Sequence, residues 1–304
     1  MAAAPTDQEL SALKLHAVEA DSQGITRQRS GRGFTYKNSK GDRLTDKAQI
    51  ERVKSLAIPP AWTNVWICPD PKGYVQATGR DAKGRKQSIY HPNWTAHRED
   101  SKYSRLTKVS RAIGRARKAV QRHLRRSGLT KDKVLASVVR LLDLSLIRVG
   151  TERYVTENGS FGLTTLRNRH VEVAGTRIVF RFQGKSGKGH EIKLVDRTLA
   201  LLMKKLKDLK GSRLFQYIDD SGNLRPVNAN DVNQYLQEIG GSDLTAKDFR
   251  TWRATRLAAE IARRKKPTTK KEINEIVAEV AQTLGNTPAI ARKSYIAPGI
   301  LELA

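Results

Sequence analysis

The chain is poor in cysteine and in acidic residues. Among 304 residues the one cysteine is Cys68. An intrachain disulfide is therefore impossible, thiolate metal clusters of the zinc-finger type are excluded, and a reducing compartment fits. Only 30 Asp and Glu stand against 57 Lys and Arg, leaving a formal net charge of +27. No apolar run is long enough to span a bilayer, and the opening MAAAPTDQELSALK lacks a charged-then-apolar signal, so a soluble, intracellular protein is expected. There is no Walker loop, HExxH pair or Asp-rich metal loop, and neither a metal nor a cofactor is expected. The six histidines (His16, His91, His97, His123, His170 and His190) stop at position 190.

What is there is basic charge on a foldable chain. Hydrophobic residues make up 38%, enough for a packed core. Such an excess of cations at this length points to a polyanionic partner, nucleic acid or an anionic membrane. A membrane-surface role needs an amphipathic helix with large apolar anchors. The best candidate reads instead as a helix packed on a domain. Nucleic acid is therefore the favoured partner.

Residues 1–95 read as β-rich. GRGFTYKNSKGDRL alternates aromatic and polar residues around turns, and VWICPDPKGYVQATG reads as strand, turn and strand. The turn GRDAKGRKQ follows, and 91–103 shows no period and reads as a linker. From Ser104 the pattern is helical: Leu106, Val109, Ile113, Ala116, Val120 and Leu124 share one face. Ser101–Arg126 holds ten Lys or Arg and no acid, which favours a phosphate-facing surface over a merely solvated one. Lys133–Arg148 is apolar nearly all round and predicts a buried helix. Strands are expected at His170–Val173, Arg177–Gln183 and His190–Leu194. Helices are expected at Asp196–Leu209, Asn230–Ile239, Thr245–Arg264, Thr269–Leu284 and Thr287–Ile296. The fold class is α+β: a small β-rich N-terminal domain (1–95) and a larger, mostly helical domain (96–304) with a small sheet.

Four residues could carry chemistry. Arg148, expected at the end of the apolar helix, needs an anion, either a structural carboxylate (Asp143 or Glu152) or a bound phosphate, and the sequence leaves the two even. Arg250 points with Leu257 and Ile261 on an apolar face, but Arg253 points similarly, so periodicity does not choose between them. Lys185 sits at a hairpin tip. A solvated turn lysine is the commoner reading there, while one beside site arginines suits a proton donor to a leaving alkoxide. Tyr295 lies near the end of a short helix, where most tyrosines only pack.

These residues occur in segments that resemble the successive active-site motifs of type IB DNA topoisomerases: IRVGTERYVTENGSFGLTTLRNRHV (147–171), FQGKSGKGHEIKL (182–194), LTAKDFRTWRAT (244–255) and LGNTPAIARKSYI (284–296). IPPAWTNVWICP (58–69) and QATGRDAKGRKQSIYHP (76–92) resemble the DNA-clamping domain of the bacterial and poxvirus-like branch. The resemblance spans nearly the whole chain, in order. It implies a two-domain clamp acting as a monomer on duplex DNA, in a bacterial cytoplasm at the nucleoid, although composition alone permits a nucleus.

It also implies roles. Tyr295 falls on the family nucleophile, Arg148 and Arg250 on its transition-state arginines, and Lys185 on its general acid. The position nine before the tyrosine, often histidine, is Asn286, whose amide can donate a hydrogen bond but carries no charge. On the β-rich side Arg80, Lys83, Arg85, Lys86, Gln87 and Tyr90 become expected DNA contacts, with Tyr154 a further groove-facing position. Ser88 stands where poxvirus-type enzymes often place an aromatic, so site preference does not carry over. The implied activity is relaxation of supercoiled DNA without ATP or metal, through a 3′-phosphotyrosine intermediate, strand rotation and religation. A tyrosine recombinase uses the same chemistry but usually has His three residues before the second arginine, where this chain has Lys247. A non-catalytic architectural protein would need none of these residues.

Overall fold

A computed structural model describes residues 5–20, 22–31, 33–241 and 243–301. The chain divides into two compact units, Met1–Ser104 and Arg105–Ala304.

The first unit opens with α1 (Asp7–Ala12), capped by Thr6 and Glu9 in a reciprocal box. An antiparallel sheet of five strands follows: β1 (Ile25–Ser30), β2 (Gly33–Lys37), β3 (Thr63–Ile67), β4 (Val75–Arg80) and β5 (Lys86–Tyr90), in the order β2-β1-β3-β4-β5. Helix α2 (Lys47–Ser55) lies between β2 and β3 in sequence. It contributes Val53 to a core with Ile25, Val65, Ile67 and Ala77. Arg27 donates to the carbonyls of Ile58, Pro59 and Trp62 and lies 4.1 Å over the Phe34 ring, which fixes the IPPAW loop.

The segment read as a linker is a helix, α3 (Pro92–Ser104). Its one large apolar anchor among the described side chains, Trp94, is buried against Leu10 and Leu15, more than seventy positions earlier in the chain. A helix held by such distant partners leaves no local period. It belongs to the first unit, so the division falls after Ser104 instead of after residue 95.

The second unit is mostly helical. Helices α4 (Leu106–Leu124) and α5 (Lys131–Ser145) begin it, followed by the short α6 (Glu152–Asn158). A three-stranded antiparallel sheet comes next: β6 (Val171–Ala174), β7 (Arg177–Gln183) and β8 (Gly189–Val195). Then follow α7 (Arg197–Lys207), a hairpin of β9 (Gln216–Ile218) and β10 (Leu224–Pro226), α8 (Ala229–Gly240), α9 (Ala246–Lys265), α10 (Lys270–Leu284) and α11 (Pro288–Ser294). The main core joins α4, α5, the sheet, α7 and α8, with Val138, Leu142, Phe180, Leu199, Phe215 and Leu236 among its members. A second cluster packs Ala258 and Ile261 of α9 against Ile276 and Val280 of α10, with Ile296 beyond α11.

Helix α5 stops at Ser145, three residues short of Arg148, because Leu146 adopts a left-handed conformation (φ 56°). That turn sends the Leu146 side chain into the second cluster and Ile147 into the main core. Arg148 follows outside any helix or strand.

Candidate active site

The backbone at Arg148 is clamped by a crossing of two segments. Leu163 N–H donates to the Arg148 carbonyl at 2.9 Å, and Thr164 N–H to that of Val149 at 2.8 Å. Gly150 and Gly162 meet here with no space for a side chain: a Cβ on Gly162 would lie 2.5 Å from the Arg148 carbonyl oxygen. The GTERYVTENGSFG spacing therefore exists to let two backbones touch beside the arginine.

Neither expected carboxylate neutralises Arg148. Asp143 pairs with Arg117 at 2.7 Å, and Glu152 pairs with Arg213. Arg148 Nη2 donates instead to Asn286 Oδ1. A guanidinium offers only donors, so this contact sets the amide orientation and turns Asn286 Nδ2 away, where it is buried without a partner.

Arg250 settles the ambiguity with Arg253. It is 4% exposed, whereas Arg253 is partly exposed and lies 3.9 Å from Glu260. Arg250 donates from Nη1 to the Leu146 carbonyl and from Nη2 to the Leu284 carbonyl at 2.9 Å, at the ends of α5 and α10. Helix C-termini carry partial negative charge, so the buried cation is held without a carboxylate. Its Nε is buried and unpartnered. Burial pushes the guanidinium pKa below its ordinary value, and Arg148 adds to this.

Tyr295 is the C-cap of α11, which starts as expected with Thr287 capping Ile290 N–H and Pro288 in the first turn. Thr255 of α9 donates to the Tyr295 carbonyl at 3.0 Å and accepts from Ala297 N–H, fixing the backbone that bears the phenol. Arg250 lies 5.1 Å from the ring centroid. Burial pushes the phenol pKa up, but Arg250 above all, then Arg148 and Lys247, outweigh it and hold Tyr295 below the ordinary tyrosine value.

Two cavities flank the arginine pair. One, of about 180 Å³, is lined by Arg148 and Arg250 together with Lys185, His190 and Gly285. The other, of about 290 Å³, is lined by the same two arginines together with Tyr295 and Lys247. The two cavities thus share the arginine pair, with Lys185 lining one and Tyr295 the other. Glu191 also lines the first cavity, but its carboxylate is engaged by Arg181 at 3.0 Å and Lys193 at 2.7 Å. The donors left over are two arginines, an amide nitrogen and an exposed ammonium, an arrangement suited to a multiply charged oxyanion.

The five residues expected to carry chemistry thus converge. Lys247 and His190 were missed as site members. Lys247 could have been found from its place one helical turn before Arg250, while nothing local marks His190. Among the described residues no group of His, Cys, Asp and Glu side chains is placed to hold a metal ion, and no helix is long and apolar enough to cross a membrane.

The other expected DNA contacts sit elsewhere. Arg80, Lys83, Arg85, Lys86, Gln87 and Tyr90 all lie on the β4–β5 hairpin of the first unit. Asp81 organises its turn, accepting from the Lys83 and Arg85 amides, from Arg85 Nε at 2.8 Å and from Gln87 Nε2 at 2.9 Å. These partners, Arg85 first, hold its carboxyl far below the usual range. Arg80 donates to the Gly84 carbonyl, and Tyr90 is 37% exposed. Tyr154, on α6 of the second unit, is 49% exposed.

Comparison with known proteins gives the same assignment from two directions. Residues 86–298 match the model of the eukaryotic DNA topoisomerase I catalytic core, and residues 33–81 match that of the bacterial DNA topoisomerase IB N-terminal domain. DNA topoisomerase 1B of Acanthamoeba polyphaga mimivirus is 36% identical over 293 residues, covering 92% of this chain and 87% of its own length. DNA topoisomerase 1B of vaccinia virus (strain Copenhagen) is 24% identical over 290 residues, covering 90% and 88%. DNA topoisomerase 1 of rabbit fibroma virus (strain Kasza) is 27% identical over 299 residues, covering 89% of each. With both models in chain order and a relative of this identity over nearly its whole length, the chain belongs to the type IB DNA topoisomerases, isomerases of the DNA topoisomerase I class.

Proposed function

We propose that this enzyme relaxes supercoiled duplex DNA by cutting one strand with Tyr295, with neither ATP nor metal. The Tyr295 oxygen attacks a backbone phosphorus, forming an O–P bond as the bond from phosphorus to the 5′ oxygen breaks. The phenol proton passes to solvent, and Lys185 supplies a proton to the departing 5′ oxygen. Arg148, Arg250 and the free Nδ2 of Asn286 hold the non-bridging oxygens as charge builds. The products are a 3′-phosphotyrosine link and a 5′-hydroxyl. The link conserves the phosphodiester energy, so after strand rotation the hydroxyl attacks and reseals without a nucleotide.

The observation that carries this reading is the shared arginine pair. In-line displacement requires the attacking and leaving oxygens on opposite sides of the phosphorus. Tyr295 and Lys185 line separate cavities that share Arg148 and Arg250 as their common wall. The net charge of +27, the α4 surface, the β4–β5 hairpin and Tyr154 would hold the duplex. We further assign it as a monomer that works in the cytoplasm on nucleoid DNA.

The test is relaxation of plasmid in EDTA without ATP, comparing wild type with Tyr295→Phe. Relaxation of both supercoil signs by wild type alone, with a covalent protein–DNA adduct, is the expected result. Folded wild type that binds DNA but leaves it supercoiled would overturn the proposal.

A further inference from the structure

Lys185 and Asn286 come from distant parts of the chain, yet each directly follows a glycine, and both glycines pack on one side chain. A Cβ on Gly184 would lie 2.5 Å from Cδ2 and Nε2 of His190, and a Cβ on Gly285 would lie 2.7 Å from its Cε1. No real Cβ sits that close, so both positions are restricted to glycine while the imidazole is there. Gly184 has φ −96°, a conformation open to any residue, so only the ring's proximity excludes a side chain. Gly285 has φ +62° and also ends α10.

The ring itself is held from behind. Phe182 stacks on it with centroids 5.1 Å apart and planes 16° from parallel, and the two residues are direct cross-strand partners on β7 and β8. Among the described residues no hydrogen bond holds either ring nitrogen, so packing sets its place. The hairpin closes over it through Gly184 N–H donating to the Lys188 carbonyl at 2.7 Å. The ring also lines the cavity that holds Arg148, Lys185 and Arg250.

We propose that His190 is a positioning residue for the cleavage reaction, a rigid spacer that fixes the Lys185 hairpin against the Gly285–Asn286 turn. This rests on the reading of Lys185 as the proton donor. The hairpin tip is exposed, and among the described residues Lys185 has no side-chain partner, so without a stop behind it the ammonium would sample positions too far from the leaving oxygen. A neutral ring suits the place. Burial first, then Arg148, Arg250 and Lys188, hold the imidazole below the ordinary histidine pKa, so at neutral pH it adds no charge beside the arginines. A planar ring meets Gly184 at Cδ2 and Nε2 and Gly285 at Cε1 while stacking on Phe182, as a branched aliphatic side chain cannot.

The test separates proton donation from general damage. Two duplexes carry the same cleavage site, one with the natural 5′ oxygen and one with sulfur bridging at that position. A thiolate leaves without a proton, so the sulfur ester does not need Lys185. Wild type forming the covalent adduct on both is the condition for the underlying reading, and its failure there would count against that reading alone. Single-turnover cleavage by His190→Ala should fall about tenfold or more on the oxygen ester and about threefold or less on the sulfur ester. Gly184→Ala should show the same selective loss, because its methyl meets the ring, and Gly184→Ala/His190→Ala should be no worse than His190→Ala alone. Equal losses on the two esters, or wild-type cleavage by Gly184→Ala, would overturn the proposal.

Discussion

Asn286 Oδ1 accepts a hydrogen bond from Nη2 of Arg148, and this leaves Asn286 Nδ2 as a buried donor with nothing to bind. The contact makes a residue that departs from the usual histidine into a directed donor. Asn286→Asp should therefore be worse than a simple truncation. It replaces the free donor with an acceptor and places a carboxylate on Arg148. Loss of one oxyanion donor costs about 10²- to 10³-fold in rate. We expect Asn286→Asp at or beyond that range in single-turnover cleavage, and Asn286→His to retain more activity than Asn286→Ala. Equal rates for the aspartate variant and wild type would show that Nδ2 does not reach the phosphate.

Arg250 holds structure and chemistry at once. It bonds the carbonyls that end α5 and α10 while its Nε remains open. Arg250→Ala should lower stability by about 1–3 kcal/mol, the cost of leaving buried carbonyls unpaired, besides abolishing detectable cleavage. Arg253→Ala, by contrast, loses only a partly exposed contact with Glu260. Its unfolding free energy from urea titration should stay within about 0.5 kcal/mol of wild type. A reversed order of the two variants would mean that Arg250 is not the staple between these helix ends.

How much of this was legible depends on whether the signal was local. Helix α9, its apolar face and the Thr287–Pro288 start of α11 follow from spacing and capping chemistry, and the structure has them where expected. Periodicity did not choose Arg250 over Arg253, because both point alike on the helix; the resemblance singled out Arg250, and the carbonyls of Leu146 and Leu284 supply the physical reason it is buried. The early stop of α5 rests on Leu146 in a left-handed conformation that leucine rarely adopts. Helix α3 was missed because Trp94 packs on residues from the other end of the unit. His190 lies inside the 182–194 motif, but nothing there singled it out, since its partners are two glycines a hundred residues apart.

Acid should destabilise the fold through its histidines. His123, His170 and His190 are each held below the ordinary value of 6.5, by burial first and by nearby arginines next. The unfolded chain therefore binds more protons than the folded one as the pH drops through that region. The stabilisation is fully present above pH 6.5 and is lost as the pH falls through the folded-state values. The urea midpoint should be flat near neutrality and decline below about pH 6.5. A midpoint unchanged down to about pH 5 would mean that these rings titrate alike in both states.

Salt dependence tests the β4–β5 hairpin. If Lys83 and Lys86 each neutralise a phosphate, Lys83→Gln/Lys86→Gln should weaken binding to all duplex sequences similarly. The slope of log K against log salt should become shallower by about 1.8, roughly 0.9 per contact. An unchanged slope with weaker binding would place these lysines away from the backbone and make their effect one on the Asp81 turn.

Lys247 should act on the nucleophile, since it shares a cavity with Tyr295 that His190 does not line. It lines the cavity with Tyr295, is exposed, and is the third cation after Arg250 and Arg148 that lowers the phenol pKa. Removing it leaves burial less opposed, so in Lys247→Ala the phenol pKa should rise and the pH–rate profile of cleavage should move to higher pH. Because two arginines remain, the loss at neutral pH should be modest, about tenfold or less, and Lys247→Arg should restore the profile. The nucleophile is used identically whichever atom leaves, so oxygen and sulfur esters should lose equally, unlike the selective loss expected for His190→Ala. Selective loss on the oxygen ester by Lys247→Ala would instead put this lysine on the leaving-group side and undo the division of labour across Arg148 and Arg250.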